Sequence, residues 1–357
     1  MKALRLYAGP RARQHIAQHG LRPQDVGVIP AAAGGPKGLI LGPLDRFLFG
    51  QWLPQSAQPV HLVGASIGAW RMATACLETP AVAFERLERD YIAQHYALPP
   101  GQKRPTPEQV SEQFAGNLQL FYGGRMAEVL RHPRYRLHIV TSRGRHLLGR
   151  DGRVRTPLGY LGAFAANALH RKALGAWLER VVFSTAPDLP FGTDDFRTRQ
   201  VPLSEANFMD ALQASCSIPF VLRPVHGIAG APPGAYWDGG ITDYHLHLRY
   251  QPPATAPIVL YPHFQQAVVP GWLDKAWKGR HRSSAALDNM LVLAPDPAWV
   301  KTLPNARLPD RQDFTRYGPD LAGRMKAWNG ATAASQQLSD EFAQWLRQPD
   351  PARLQPL

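Results

Sequence analysis

The chain's 357 residues are 45% hydrophobic and 19% charged, a balance that excludes a disordered chain and supplies a core for one large α/β domain or two smaller ones. Forty Lys and Arg against 27 Asp and Glu leave a formal charge of +13, which favours anionic partners such as nucleic acid, acidic lipid or a phosphate-bearing substrate without choosing among them. The 31 Gly and 34 Pro are scattered with no period, which excludes solenoid and collagen architectures.

Met1 to Gly20 reads as a basic, helix-like opening. It lacks the continuous apolar stretch of a Sec signal, so a cytoplasmic location is expected. Asp25 to Ala33 reads as a buried strand that runs into Gly34-Gly35-Pro36-Lys37-Gly38 and a helical run, Leu39 to Phe49. Pro36 suits a first helical position, where its missing N–H costs no bond, and the glycines let backbone amides approach a ligand. The spacing is not that of a Walker A loop. The segment is either a bare glycine turn or an anion cradle at a helix start, in which Gly34 and Gly35 supply oxyanion-hole donors.

Pro59 to Leu77 organises the chain. A β-rich run, Val60-His61-Leu62-Val63, passes through Gly64-Ala65-Ser66-Ile67-Gly68 into helix formers, which predicts a strand, a sharp turn and a helix. Such a turn brings the residues two before and two after the serine close together, where a Cβ would clash. It also lifts the Ser66 hydroxyl out of the sheet at the positive end of the helix, making Ser66 a candidate nucleophile. The plain alternative is a glycine-rich turn with a surface serine.

Ala81 to Tyr96 reads as an amphipathic helix, Leu98 to Pro105 as a proline-rich loop, and Thr106-Pro107-Glu108-Gln109 as a capping box opening another helix. Arg136 to Arg143 reads as a strand, followed by a basic stretch through Arg155 that is expected to be a solvated hairpin region. Residues 98–180 also offer the length for a cap over the site, since an acyl chain needs an apolar cover. Arg180 to Thr185 is another strand and Glu205 to Cys216 a helix. The cysteines, Cys76 and Cys216, each lie in apolar segments and read as reduced core thiols.

Tyr236-Trp237-Asp238-Gly239-Gly240 follows. Asp-Gly is an ordinary hairpin turn. If Asp238 faces Ser66 instead, the glycines let the chain pass close to the serine, partial burial raises the carboxylate's proton affinity, and the pair is a Ser-Asp dyad. Further strands are expected at Ile258 to Tyr261 and Met290 to Leu293. Gly271 to Arg282, with Trp272 and Trp277 among cations, reads as a partly buried helix with a basic face or as a peripheral contact with anionic membrane. Leu321 to Leu346 reads as one or two amphipathic helices closing the domain. No apolar run approaches the roughly 20 residues of a membrane-spanning helix, and no Cys/His cluster has structural-zinc spacing.

Three motifs in order, Gly34-Gly35-Pro36-Lys37-Gly38, Gly64-Ala65-Ser66-Ile67-Gly68 and Asp238-Gly239-Gly240, resemble the patatin-like phospholipase family over most of residues 25–265. Ala214 to Pro219 with Pro224-Val225 also resembles the family's segment upstream of its aspartate. The resemblance implies a three-layer α/β/α patatin-like fold with a central, mostly parallel sheet, agreeing with the strand and helix alternation, and a single domain over 1–357. It implies hydrolysis of lipid acyl esters, with Ser66 as nucleophile, Asp238 as base, the amides around Gly34 and Gly35 as oxyanion hole, and no metal or other cofactor. Lys37 matches the basic position of the glycine motif, where it steadies the loop or meets a lipid phosphate. Ala33 departs from the family's first glycine, and the hole is reshaped if that position needs a glycine-only backbone angle. Competing readings are a Ser-Asp-His esterase using His245, His247 or His263, an acyltransferase on the same serine, and a non-catalytic binder of anionic lipid. No specific nucleic-acid contact is expected, and the sequence specifies no oligomeric state.

Overall fold

Near-continuous apolar runs build the centre of the structure, a computed structural model that describes every residue except Met1, Pro99 and Lys103. Val26–Ala31 (β2), Val60–Ala65 (β3), Ile258–Pro262 (β8) and Met290–Pro295 (β9) are buried along almost their whole length. That pattern is what a parallel strand covered on both faces requires. With Leu4–Ala8 (β1), Tyr135–Gly144 (β4), Leu178–Ser184 (β5), Thr198–Pro202 (β6), Tyr236–Asp238 (β7) and Leu354–Pro356 (β10), they form one sheet in the order β10-β1-β9-β8-β2-β3-β4-β5-β6, with β7 pairing on β4. Six of its nine pairings are parallel. The antiparallel ones are β1 with β9, β5 with β4 and β7 with β4. Helices flank this mixed sheet in the expected three-layer α/β/α arrangement.

The helix Ile67–Ala75 is buried at every position, which its Ala-rich sequence allows. The two C-terminal helices, Leu321–Ala334 and Gln336–Arg347, pack where the sequence anticipates. Trp328 joins Leu39 and Ile92 in one apolar cluster, and Phe342 meets Phe47 and Trp52 edge-on. The C-terminal segment thus braces the glycine-rich loop and the helices after it. The capping box is present: the Thr106 hydroxyl accepts from the Gln109 amide, and the Gln109 side chain accepts from the Thr106 amide at the start of the helix Pro107–Tyr122.

Three expectations are corrected. The opening is not helical from its start: Leu4–Ala8 is a strand, whose partners lie at residues 290–295 and 354–356, and the helix begins only at Pro10. The stretch after Arg143 is no simple hairpin. Arg143 and Gly144 finish β4, and a fifteen-residue helix, Arg155–Leu169, separates β4 from β5. Gly271–Arg282 is not one helix but two short 3-10 turns, Trp272–Asp274 and Lys278–His281. Asp274, which ends the first turn, is buried and accepts from Asn167, Arg171 and Arg280, and a continuous helix would break that knot. Strand β6 is new as well. The predicted loop Leu98–Pro105 includes Pro99 and Lys103, which lie outside the described residues.

Candidate active site

Ser66 follows the last residue of β3 and precedes the first of its helix, with φ 56° and ψ −130°. For a non-glycine residue this conformation costs on the order of 1–3 kcal/mol and persists only where neighbours over-determine it. They do here. The Ser66 amide donates to Ser215 Oγ at 2.9 Å, Ser215 in turn donates to the Val140 carbonyl on β4 at 2.6 Å, and the Ser66 carbonyl accepts from Ala69 and Trp70. Both flanking glycines are required by close approach. A Cβ on Gly64 would collide with the Ala69 backbone, and one on Gly68 with the Ala31 carbonyl at the end of β2. The turn therefore wedges between its own helix and the neighbouring strand.

Ser66 does not cap its helix with its hydroxyl. Its Oγ donates instead to Asp238 Oδ2 at 2.6 Å, across 172 residues of sequence. Asp238 ends β7, accepts from the Gly240 amide at 2.7 Å through its other oxygen, and donates its own amide to the Ser217 carbonyl. Both side chains are nearly covered, at 4% and 5% exposure. Burial raises the Asp238 carboxyl above its ordinary value; the Ser66 hydroxyl, Arg311, the Gly240 amide and Lys275 oppose that rise. The Cys216 thiol lies beside the pair and burial pushes it up, so it stays neutral. The loop carrying Asp238 is tied down from β5: the buried Arg180 guanidinium grips Asp243 at 2.8 and 2.6 Å and reaches Asp195 at 3.0 Å.

Gly34 and Gly35 lie at the start of a 3-10 turn, Gly35–Leu41. Their amides, and that of Ile67 after the serine, have no acceptor among the described residues. Ala33 does not need glycine's freedom. Its φ is not positive, its amide donates to the Tyr244 carbonyl, and its methyl occupies the space that a Cβ on Gly240 would otherwise fill. The missing first glycine is thus accommodated by a glycine two residues after the aspartate. Lys37 meets Asp310 at 3.7 Å and stands over the Phe264 ring.

Two further cations reach this mouth from segments that carry no recognisable motif. Arg311 lies against Gly35, where a Cβ would meet its Nε at 3.2 Å, and it forms no ion pair among the described residues. Lys275 faces solvent as a residue, yet its ammonium rests over the rings of Tyr244, at 3.9 Å, and Trp272, at 5.6 Å. Desolvation there, then the charges of Lys37 and Arg311, pull its pKa down to about 8.

The three histidines weighed as a possible base are engaged elsewhere. His245, His247 and His263 meet the carbonyls of Ala267, Val268 and Gln265 through Nδ1. Burial holds His245 and His247 below their ordinary value and takes His263 to about 3. None forms a hydrogen bond with Ser66 or Asp238 among the described residues. No group of three or more His, Cys, Asp or Glu side chains among those residues gathers as a metal site.

A buried hydroxyl donating to a carboxylate of raised proton affinity, beside unpartnered amides and under a cationic mouth, can perform nucleophilic attack on an electrophile that develops negative charge. The sequence profile described as patatin-like phospholipase matches residues 33–245, the span from Ala33 through the loop after Asp238. A comparison with curated proteins returned no match.

Proposed function

The chain belongs to the patatin-like phospholipase family, a family of lipid acyl hydrolases, and within it we propose that this protein cleaves carboxylic acyl esters through an acyl-enzyme on Ser66 with Asp238 as base. The observation that carries this reading is the 2.6 Å hydrogen bond between the two buried side chains. Ser66 Oγ attacks the ester carbonyl carbon while Asp238 Oδ2 takes the hydroxyl proton. The amides of Gly34 and Gly35 donate to the oxyanion that forms, with Ile67 as a third donor. Collapse of this intermediate expels the alcohol, which leaves with the proton held by Asp238. Water then adds to the acyl carbonyl, Asp238 again takes the proton, and the carboxylic acid departs as Ser66 re-forms.

The engagement of His245, His247 and His263 with backbone carbonyls weighs against a histidine base. Lys37, Lys275 and Arg311 favour an ester bearing negative charge near the reacting carbonyl, as in a phospholipid headgroup, over a neutral glyceride. Hydrolysis in heavy-oxygen water tests the pathway. The expected result is release of fatty acid carrying one heavy oxygen, faster from an anionic phospholipid than from a triglyceride. Transfer of the acyl group to an added alcohol in preference to water would reassign the protein as an acyltransferase, and no release from any lipid by the folded protein would overturn the reading.

A further inference from the structure

The helix Arg155–Leu169 carries no charged residue after its first position. Its inner face is packed: Tyr160 and Ala163 are buried, and Asn167 donates to Asp274 at 2.9 Å. Its outer face is apolar and bare, with Leu158, Leu161, Phe164 and Leu169 exposed by 52%, 64%, 40% and 86%. Two exposed aromatic rings from other segments extend this face. Phe220 lies 6.0 Å from Tyr160, and Trp277 stacks on Phe164 at 6.5 Å. An apolar surface of this extent on a soluble chain marks an interaction site.

Charge chooses the partner. Arg150, Arg153 and Arg155 precede the exposed leucines, Lys172 follows them, and Lys278 and Arg282 flank Trp277. All six are exposed, and none forms an ion pair among the described residues. The one carboxylate within the leading arginine run, Asp151, meets His226. A two-fold contact with a second copy would press these cations against one another. An apolar face ringed by unpaired cations matches the boundary of an anionic bilayer, where acyl chains meet acidic headgroups.

The helix that carries this face adjoins the candidate site through its inner side. The Tyr160 hydroxyl is buried with no hydrogen-bond partner among the described residues; burial first, and then the charge of nearby Asp238, raises its pKa, and its ring meets Trp237 at 5.9 Å, next to that aspartate. Lys275, at the site's mouth, lies two residues before Trp277. We propose that the outer face of the 155–169 helix, with Phe220 and Trp277, docks on an anionic lipid bilayer and seats the mouth of the Ser66 site against it. The orientation rests on the acyl-hydrolase reading; the docking surface does not.

Co-sedimentation of the Ser66→Ala protein with lipid vesicles tests the surface without catalysis. Partitioning onto phosphatidylcholine vesicles containing phosphatidylserine, weakened by salt and much lower on pure phosphatidylcholine, is expected. Leu161→Asp with Phe164→Asp, both at solvent-exposed positions, is expected to lower it at least about tenfold, and Arg153→Glu with Arg155→Glu to lower it on the anionic vesicles. Circular dichroism and labelling by a small fluorophosphonate in the wild-type background check that each variant is folded. Absence of partitioning, or equal partitioning by folded aspartate variants, would overturn the proposal. So would a dimer in solution that the aspartate variants dissociate, which would assign the face to a second copy. A protein that docks but hydrolyses nothing keeps this inference and loses the acyl-hydrolase reading; one that hydrolyses soluble esters but never partitions does the reverse.

Discussion

The floor and the rim of the candidate site are built by opposite means. On the floor, Ser66 and Asp238 meet across 2.6 Å, both are nearly covered, and the serine's strained backbone is pinned through Ser215 to β4. At the rim, Lys37, Lys275 and Arg311 hold like charges near one another with a single ion pair among the described residues, from Lys37 to Asp310, and ring faces for support. The floor uses tight packing and fully committed hydrogen bonds, so a small change there is felt at once. The rim keeps charge in hand for something absent from the chain. The difference separates where bonds are expected to be broken from where the molecule that contains them is expected to be selected.

The largest effect expected from breaking this contrast is at the floor. Asp238→Asn keeps the shape and an acceptor for the Gly240 amide but removes the base, and ester hydrolysis is expected to fall by about a hundred- to ten-thousand-fold in kcat. Stability is expected to move the other way. Burial holds the Asp238 carboxyl above its ordinary value in the folded chain. The folded state therefore binds more protons than the unfolded one between the two pKa values, and its stability drops as pH rises through that window. Asn is then stabilising at neutral pH and without this advantage below the ordinary carboxylate range, a crossing that thermal melts at two pH values would detect. The wild-type activity is expected to rise with pH on its acid limb at an apparent pKa above that of a solvent-exposed aspartate, because the base acts only when ionised.

Next in size is the support beneath the floor. Arg71, on the helix after Ser66, pairs bidentately with Asp45 at 2.7 and 2.8 Å, both buried. Arg71→Met would leave a buried carboxylate unpaired and is expected to cost about 3–5 kcal/mol in denaturant unfolding. Gly68→Ala drives a methyl into the Ala31 carbonyl, with an expected loss of about 1–3 kcal/mol and a displaced Ser66. The smallest effect is at the rim. Lys275→Met with Arg311→Met is expected to raise KM for an anionic ester about tenfold while leaving a neutral short-chain ester little changed. The preference is also expected to weaken above about pH 8, where Lys275 loses its charge.

The floor was legible in the sequence because its chemistry is local. Gly64, Ser66 and Gly68 specify a turn within five residues, and Asp238 is marked by the two glycines after it. Strands β2, β3, β4, β5, β8 and β9 were equally visible, since burial on both faces writes an apolar run. The remainder depends on contacts between distant segments. Strand β1 is five residues inside a basic opening and gains its identity only from β9 and β10. The fit of the Ala33 methyl against Gly240 joins residues about two hundred positions apart, and no spacing announces it. Lys275 and Arg311 sit in segments with no motif, beyond the span matched by the family profile. The 271–282 stretch misled because its Trp and Lys spacing suits a helix, while Asp274 is held by Asn167 and Arg171 from outside the stretch as well as by Arg280 within it.

The central claim is that Ser66 is an activated nucleophile and Asp238 its base. Intact mass after treatment with a fluorophosphonate tests it most directly. The account predicts one adduct on the wild type, none on folded Ser66→Ala, and much slower labelling of Asp238→Asn. A well-folded wild type that stays unlabelled with detergent or lipid present, or an adduct that survives Ser66→Ala, would contradict it.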